Sequence, residues 1–245
     1  MPLIPPLVLV IAWWISGTMF GGLRGRILTP PDQIAEAFRD LLSDETLWSN
    51  LAVTMKEFFI AFVAAYGIGL VAGLIVGMSR FATAVFEPFV FGIYAIPKIT
   101  ILPILLVILG LNSTMVVVFA ALHGVLPVFL ATVNALKNVR PLYVEVGRCL
   151  GGSRLQIYRK VVLRSITLPV ISAARICFTL CFLVVITAEI ILGGAGMGHL
   201  VMAYYHAFDY PRMYASILFT VVVCGVAYLL AATAERRLAS AEQQR

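Results

Sequence analysis

Charge is the scarcest commodity in this chain. Of 245 residues, 18 are Lys or Arg and 12 are Asp or Glu, so 12% are charged where soluble domains carry roughly a quarter. That scarcity excludes an ordinary soluble globule. Cysteine is also sparse, at four residues, and it forms no disulfide framework. Cys177 and Cys181 stand four apart on one helical face, Cys224 lies in another apolar run and Cys149 in a basic segment. None has His or carboxylate neighbours at metal-ligand spacing, so packing and not zinc explains them. Nowhere does a GxxxxGK[ST] run occur, which removes a self-contained nucleotide-phosphate cradle. The net charge of +6 invites a nucleic-acid reading, but the basic residues cluster beside apolar runs, where orientation in a bilayer explains them more simply.

What is abundant is hydrophobic sequence, 61% of the chain with a mean hydropathy of +0.99. The reading is an all-α, polytopic membrane protein with about six transmembrane helices of ~20 residues each in a single domain, 1–245. The expected spans are residues 2–23, 58–78, 88–110, 115–136, 170–192 and 213–234. The first is free of charge and lacks the basic start and cleavage site of a signal peptide, so it is read as retained. Trp13 and Trp14 fall in its middle, as packing residues would. Between the first two spans, Ile34, Phe38, Leu41 and Leu42 recur at helical spacing, an amphipathic connector with Asp32 as its expected N-cap.

Several positions stand out inside the spans. Gly69, Gly73 and Gly77 recur every fourth residue, a smooth strip that lets another helix approach closely. The third span is interrupted at Pro97-Lys98 and again at Pro103. Lys98 at membrane depth costs about 2.5–3.5 kcal/mol on insertion scales. It either faces a translocation path and favours anions, or snorkels to an interface near the kink. Glu189 in the fifth span is open to two readings as well: a path residue, with Lys98 as candidate counter-charge, or a structural hydrogen-bond partner within the bundle. His123 is read as an interior hydrogen-bonding group without catalytic duty. Gly193, Gly194, Gly196 and Gly198 form a turn into an external helix carrying Met202, Tyr204, Tyr205 and His206.

The segment from about 137 to 169 is the only long stretch that is both basic and amphipathic. Pro141 starts a helix with Leu142, Val146 and Leu150 on one side. Gly151-Gly152 ends it, and a second helix follows from Arg154, with Leu155, Tyr158, Val162 and Ser165 on one face, to Leu168-Pro169. Lys and Arg at this density hold such a loop in the cytoplasm, which puts both termini there too. A helix resting on anionic lipid would also account for the charge.

This order resembles the EAA loop of permease subunits in binding-protein-dependent ABC importers. In that family a Glu-Ala-Ala start is followed by Gly four residues after the last Ala and by Leu-Pro near the next span. Here Glu145, Gly151 and Leu168-Pro169 stand in those places, Val146 and Gly147 replace the Ala pair, and Arg164 stands where relatives often carry proline. The stretches LTPPDQIAEAF, SRFATAVFEPFVFGIYAIPKITILPILLVILGL and AEIILGGAGMGHLV look like the sulfonate/taurine/nitrate-type permeases. The resemblance implies a non-enzymatic, multi-pass permease of the bacterial inner membrane that binds no cofactor itself. ATP is used by a separate ATP-binding cassette subunit in two copies, this chain forms a homodimer in the lipid bilayer, and a solute-binding protein delivers substrate. It implies Glu145, Val146, Gly147, Leu150, Gly151 and Ser153 as the ATPase-coupling residues; Pro97, Lys98 and Glu189, singled out above by their place in the spans, are the candidates for the path. The expected solute is small and anionic, a sulfonate, taurine or nitrate, with a thiamine-precursor-like or other small organic solute as the alternative. A stand-alone ion-coupled transporter is the rival class, but no second copy of any segment appears.

Overall fold

Prolines set the borders of the helices. In the computed structural model, described over residues 29–243, α1 (Pro31–Leu42) opens with Pro31 in its first turn, where a missing N–H costs nothing. The residue before the helix is Pro30, in extended conformation and with no side-chain cap. The expected cap at Asp32 is therefore corrected: Asp32 lies within the first turn, where its charge favours the helix N-terminus. The expected span at 2–23, with Trp13 and Trp14, lies outside the described residues.

The rest of the described chain is helical as well, without a strand: α2 (Glu45–Gly77), α3 (Arg80–Ala95), a 3-10 turn (Lys98–Ile101), α4 (Leu102–Leu109), α5 (Ser113–Lys137), α6 (Pro141–Cys149), α7 (Arg154–Ile157), a π turn (Tyr158–Val162), α8 (Leu163–Leu192), α9 (Met197–His206) and α10 (Tyr210–Gln243). Four of these segments are long and apolar enough to cross a membrane, and the α3/α4 pair makes a fifth if taken as one broken span. The third span differs most from expectation. It begins at Arg80, capped by the Ser79 hydroxyl accepting from Ala82 N–H at 3.2 Å, and bends by 83° between α3 and α4. Pro97 supplies the reason: it has no N–H, and it drives Ile96 to extended backbone (φ −70°, ψ 131°).

A second difference lies at Pro169, expected to close the loop's second helix. The helix instead runs through Pro169 to Leu192. Ile166 and Ala173 are buried on either side of the proline, and Tyr66 O–H donates to the Val170 carbonyl at 3.3 Å. Tertiary packing here outweighs the single hydrogen bond that proline removes.

The chain forms two compact units. One comprises the described residues through Met55 with Ile186–Gly225. Its core is Leu41, Leu47, Met197, Leu200 and Phe219, joined by Ile34, Ala37 and Ala215. Trp48 meets Phe219 edge-on at 5.9 Å and donates its indole N–H to the Leu42 carbonyl at 3.0 Å, which ties the α1–α2 corner to α10.

The other unit comprises Lys56–Val185 and the chain from Val226 onward. Its α2 and α5 pack along the glycine strip. A Cβ on Gly69 would stand 2.6 Å from the Val125 carbonyl, one on Gly73 2.7 Å from Thr132 Cβ, and one on Gly77 2.5 Å from Leu136 Cδ1. The strip thus acts as the close-approach surface its spacing predicts. Phe58, Phe62, Phe178 and Phe182 interlock α2 with α8, with Phe58 4.7 Å from Phe178 in edge contact. Cys177 and Cys181 are free thiols at 3.9 Å, buried where Gly124 leaves room for them. Two ion pairs close the polar ends: Lys137–Glu87 at 2.8 Å and Arg175–Glu235 at 3.2 Å.

Candidate functional site

The loop between α5 and α8 is built by local rules. α6 begins at Pro141 after an extended Arg140. It ends in a paired backbone motif, with Gly152 N–H donating to the Gly147 carbonyl at 3.0 Å and Gly151 N–H to the Arg148 carbonyl at 2.9 Å. Gly151 sits at φ +75°, a left-handed conformation that side chains disfavour. Ser153 then starts α7 with a reciprocal cap: its hydroxyl accepts from Gln156 N–H at 3.3 Å, while Gln156 Oε1 accepts from Ser153 N–H at 2.9 Å. The Ser-x-x-Gln pattern was available in the sequence as a signal for Gln156.

One side chain holds the two helices of this loop together. Ile157 is 8% exposed, and Cβ atoms added at Gly147 and Gly152 would each stand 3.2 Å from its Cγ1. Glycine at 147, the departure from the family's alanine pair, thus gives Ile157 its seat. The outward face is the opposite: Leu142, Val146 and Leu150 are 60%, 49% and 82% exposed, and α6 buries no residue. Glu145 is exposed beside them. An apolar stripe on a short helix with no core beneath it is the kind of surface that meets another protein or a membrane.

Glu189 occupies a different environment. It is 1% exposed. Its Oε1 accepts from the Thr54 hydroxyl at 2.7 Å and its Oε2 from Gly198 N–H at 2.8 Å. Thr54 Oγ1 accepts in turn from Met197 N–H at 2.8 Å, and Asn50 Oδ1 accepts from Gly196 N–H at 2.8 Å. Three backbone N–H groups at the start of α9, which has no cap of its own, are thus satisfied by three side chains, with a carboxylate at the helix's positive end. Gly196 lies at φ +102°, and any Cβ there would enter the Glu189 carboxylate. Asn50 and Thr54 escaped the sequence reading, since only their one-turn spacing was visible and their partners lie 146 and 135–143 residues away.

Lys98 lies at the α3/α4 break, half-buried, with Nζ 4.4 Å from the Tyr94 ring centroid. Pro97 beside it is exposed, and its carbonyl accepts from the Thr100 hydroxyl at 2.7 Å. Lys98 and Glu189 belong to different units. His123 makes a 2.8 Å hydrogen bond to the Phe119 carbonyl, as an interior group would. No group of His, Cys, Asp and Glu suited to a metal ion occurs among the described residues.

Long apolar helices, a broken span and an exposed basic helix-turn-helix mark a polytopic membrane protein with a polar element between its spans. Residues 65–240 match the family described as binding-protein-dependent transport system inner membrane component, and the chain belongs to that family. It is 24% identical over 201 residues to the taurine transport system permease protein TauC of Escherichia coli (strain K12), covering 80% of this chain and 73% of that one. To the riboflavin transport system permease protein RibX of Chloroflexus aurantiacus it is 27% identical over 233 residues, covering 95% and 87%. Among solved structures, a chain of the MetNI methionine ABC transporter in an inward-facing conformation shares the fold, with a TM-score of 0.63 at 22% identity over 82% of this chain and 96% of that one. The chain is therefore an ABC-importer permease of the inner membrane and not itself an enzyme. Its homologues work with ATPase subunits and binding proteins.

Proposed function

We propose that two copies of this chain form the translocation path for a small anionic solute of the sulfonate or taurine kind, brought by an external binding protein and driven by two ATPase subunits. The α6–α7 loop, with Glu145, Val146, Gly147, Leu150, Gly151 and Ser153, is the element that seats on each ATPase. The observation that carries this reading is the exposed Leu142-Val146-Leu150 stripe on a helix with no core beneath it. The homodimer follows from one such loop per chain and two ATPases per transporter. The loop lies in the cytoplasm, with both chain ends on the same side. Arg80, Lys137 and the Arg236-Arg237 pair fall on that side, in accord with the bias of Lys and Arg towards the cytoplasm.

ATP binds and is hydrolysed on the partner, and the permease needs no cofactor of its own. Closure of the ATPases would move each α6, and the continuous helix from the loop into α8 gives that motion a direct mechanical route to the spans, a rigid-body switch between two arrangements. The anion preference rests on Lys98 at the broken helix beside Pro97 and on the similarity to a taurine permease. The similarity to a riboflavin permease makes a neutral organic solute the competing outcome.

The test is co-purification with the neighbouring ATPase subunit, comparing wild type with Leu150→Glu and Gly151→Trp. Both variants should lose most of the ATPase while the permease still elutes as a folded species. Equal retention in both variants would remove the docking role of the loop. For the solute, uptake into proteoliposomes with the cognate binding protein should saturate with a sulfonate and fall on Lys98→Gln; uptake of riboflavin alone would overturn the anion reading.

A further inference from the structure

A cleft of about 440 Å³ opens where the end of α5, the start of α6 and the beginning of α8 meet, all within one unit. Its lining has two layers. Ala131, Ala135 and Pro169 supply an apolar floor, while Asn134, Asn138, Arg140 and Tyr143 supply a polar rim. Arg140 is the only charged residue in the lining, and no carboxylate balances it. Among the described residues, neither the Arg140 guanidinium nor the side chains of Asn134, Asn138 and Tyr143 makes a hydrogen bond or ion pair. Three unengaged polar side chains around one positive charge form a receptor for an anion.

The backbone adds an acceptor. Pro169 has no N–H to give the Ser165 carbonyl one turn earlier, and both residues line the cleft. The Ser165 hydroxyl is already donating to the Val161 carbonyl at 2.7 Å. A ligand that brings a negative phosphate for Arg140 and hydroxyl donors near the Ser165 carbonyl, which lacks a Pro169 N–H, suits both. Beneath the rim the apolar floor continues the hydrophobic run of α5, so the cleft is layered as a bilayer interface is.

We infer that this cleft binds the headgroup of an anionic phospholipid of the phosphatidylglycerol type. The phosphate lies against Arg140, Asn138 and Tyr143, and an acyl chain runs over Ala131 and Ala135. Basic pockets between membrane helices on the cytoplasmic side hold such headgroups. Arg140 is the residue immediately before α6, so the lipid would brace the root of the coupling helix. The inference rests on the cytoplasmic orientation proposed above. Its readout is lipid retention, which requires no ATP hydrolysis, so the two readings fail separately.

The test uses the permease purified with its ATPase subunit, reconstituted in nanodiscs of phosphatidylcholine with or without phosphatidylglycerol. Retained lipid is counted by native mass spectrometry after mild delipidation. Wild type should retain phosphatidylglycerol in preference to phosphatidylcholine, and Arg140→Gln should reduce that retention about fivefold at unchanged melting temperature. Should Arg140→Gln not accumulate, Asn138→Ala, which alters an exposed side chain, carries the same direction of change. Equal retention in wild type and variant would overturn the inference. Displacement of the lipid by millimolar inorganic phosphate would also overturn it, since the cleft would then read a free ion. Loss of the ATPase from Arg140→Gln with lipid retention intact would assign Arg140 to the protein partner instead.

Discussion

Two carboxylates in this chain carry the same charge and live under opposite rules. Glu189 is buried, and the Thr54 hydroxyl and the Gly198 N–H are aimed at its two oxygens. Glu145 is exposed on a nine-residue helix that buries nothing. A buried charge persists only where its partners are fixed beforehand, so Glu189 marks a place where the fold is complete. An exposed apolar stripe beside an exposed charge has no such partners among the described residues, and the loop around Glu145 is the surface proposed above to seat on the ATPase. Family resemblance drew attention to both residues alike; burial and hydrogen bonding separate them.

The largest expected effect comes from removing the buried carboxylate. Glu189→Ala strands the Thr54 hydroxyl and the Gly198 N–H, two buried donors at ~1–3 kcal/mol each. In practice, the melting temperature in detergent should drop steeply or the protein should fail to accumulate. Glu189→Gln keeps one acceptor and turns an amide towards the other donor, so it should fall between the two. A Glu189→Ala protein that melts like wild type would erase the contrast between the two carboxylates. Next in size is Gly73→Leu, whose Cβ alone would stand 2.7 Å from Thr132 Cβ and 3.0 Å from the Phe129 carbonyl. Overpacking of this kind costs ~1–3 kcal/mol, read as a lower melting temperature. At Gly67 the same substitution meets nothing within 4 Å and should be nearly silent.

How much of this was legible beforehand follows from the range of each interaction. The loop was legible because its signals are local: Pro141 at a helix start, Gly151 at a left-handed turn, and four-residue spacing along α6. So was the break at Pro97, and so was the glycine strip, whose period alone fixes a face. Continuation through Pro169 was not, because a proline reads as a stop unless the packing of Ile166, Ala173 and Tyr66 around it is known. The supports of Glu189 were hidden for a related reason. Asn50 and Thr54 are ordinary polar residues until the fold brings them to Gly196 and Met197.

On the exposed side of the comparison, Leu150→Glu should leave stability within about 0.5 kcal/mol of wild type, since a side chain 82% exposed has little burial to lose. A permease that melts normally yet fails to hold its ATPase would place docking and folding on separate residues. A large drop in melting temperature would mean that Leu150 packs within the chain in the membrane, and the stripe would no longer read as a partner surface.

The smallest effect concerns a third carboxylate, intermediate between the other two. Asp44 precedes α2 and accepts from Thr46 N–H at 2.8 Å, the geometry of a helix N-cap. Hydrogen bonds from Thr46 hold its pKa below the usual aspartate value, against a small opposing effect of burial. The sign then follows. A depressed folded-state value contributes stability that is fully present above the unfolded-chain value and is lost as pH falls through the folded one. Asp44→Asn keeps an oxygen acceptor at the cap but cannot titrate, and Asn caps about as well as Asp. The wild type should therefore hold a slight advantage in melting temperature near neutrality, and that advantage should vanish as pH falls below the ordinary aspartate value of about 3.9. An advantage that grows on acidification would show that the carboxylate is stabilised as its neutral form, and Asp44 would then belong with buried acids and not with solvated caps.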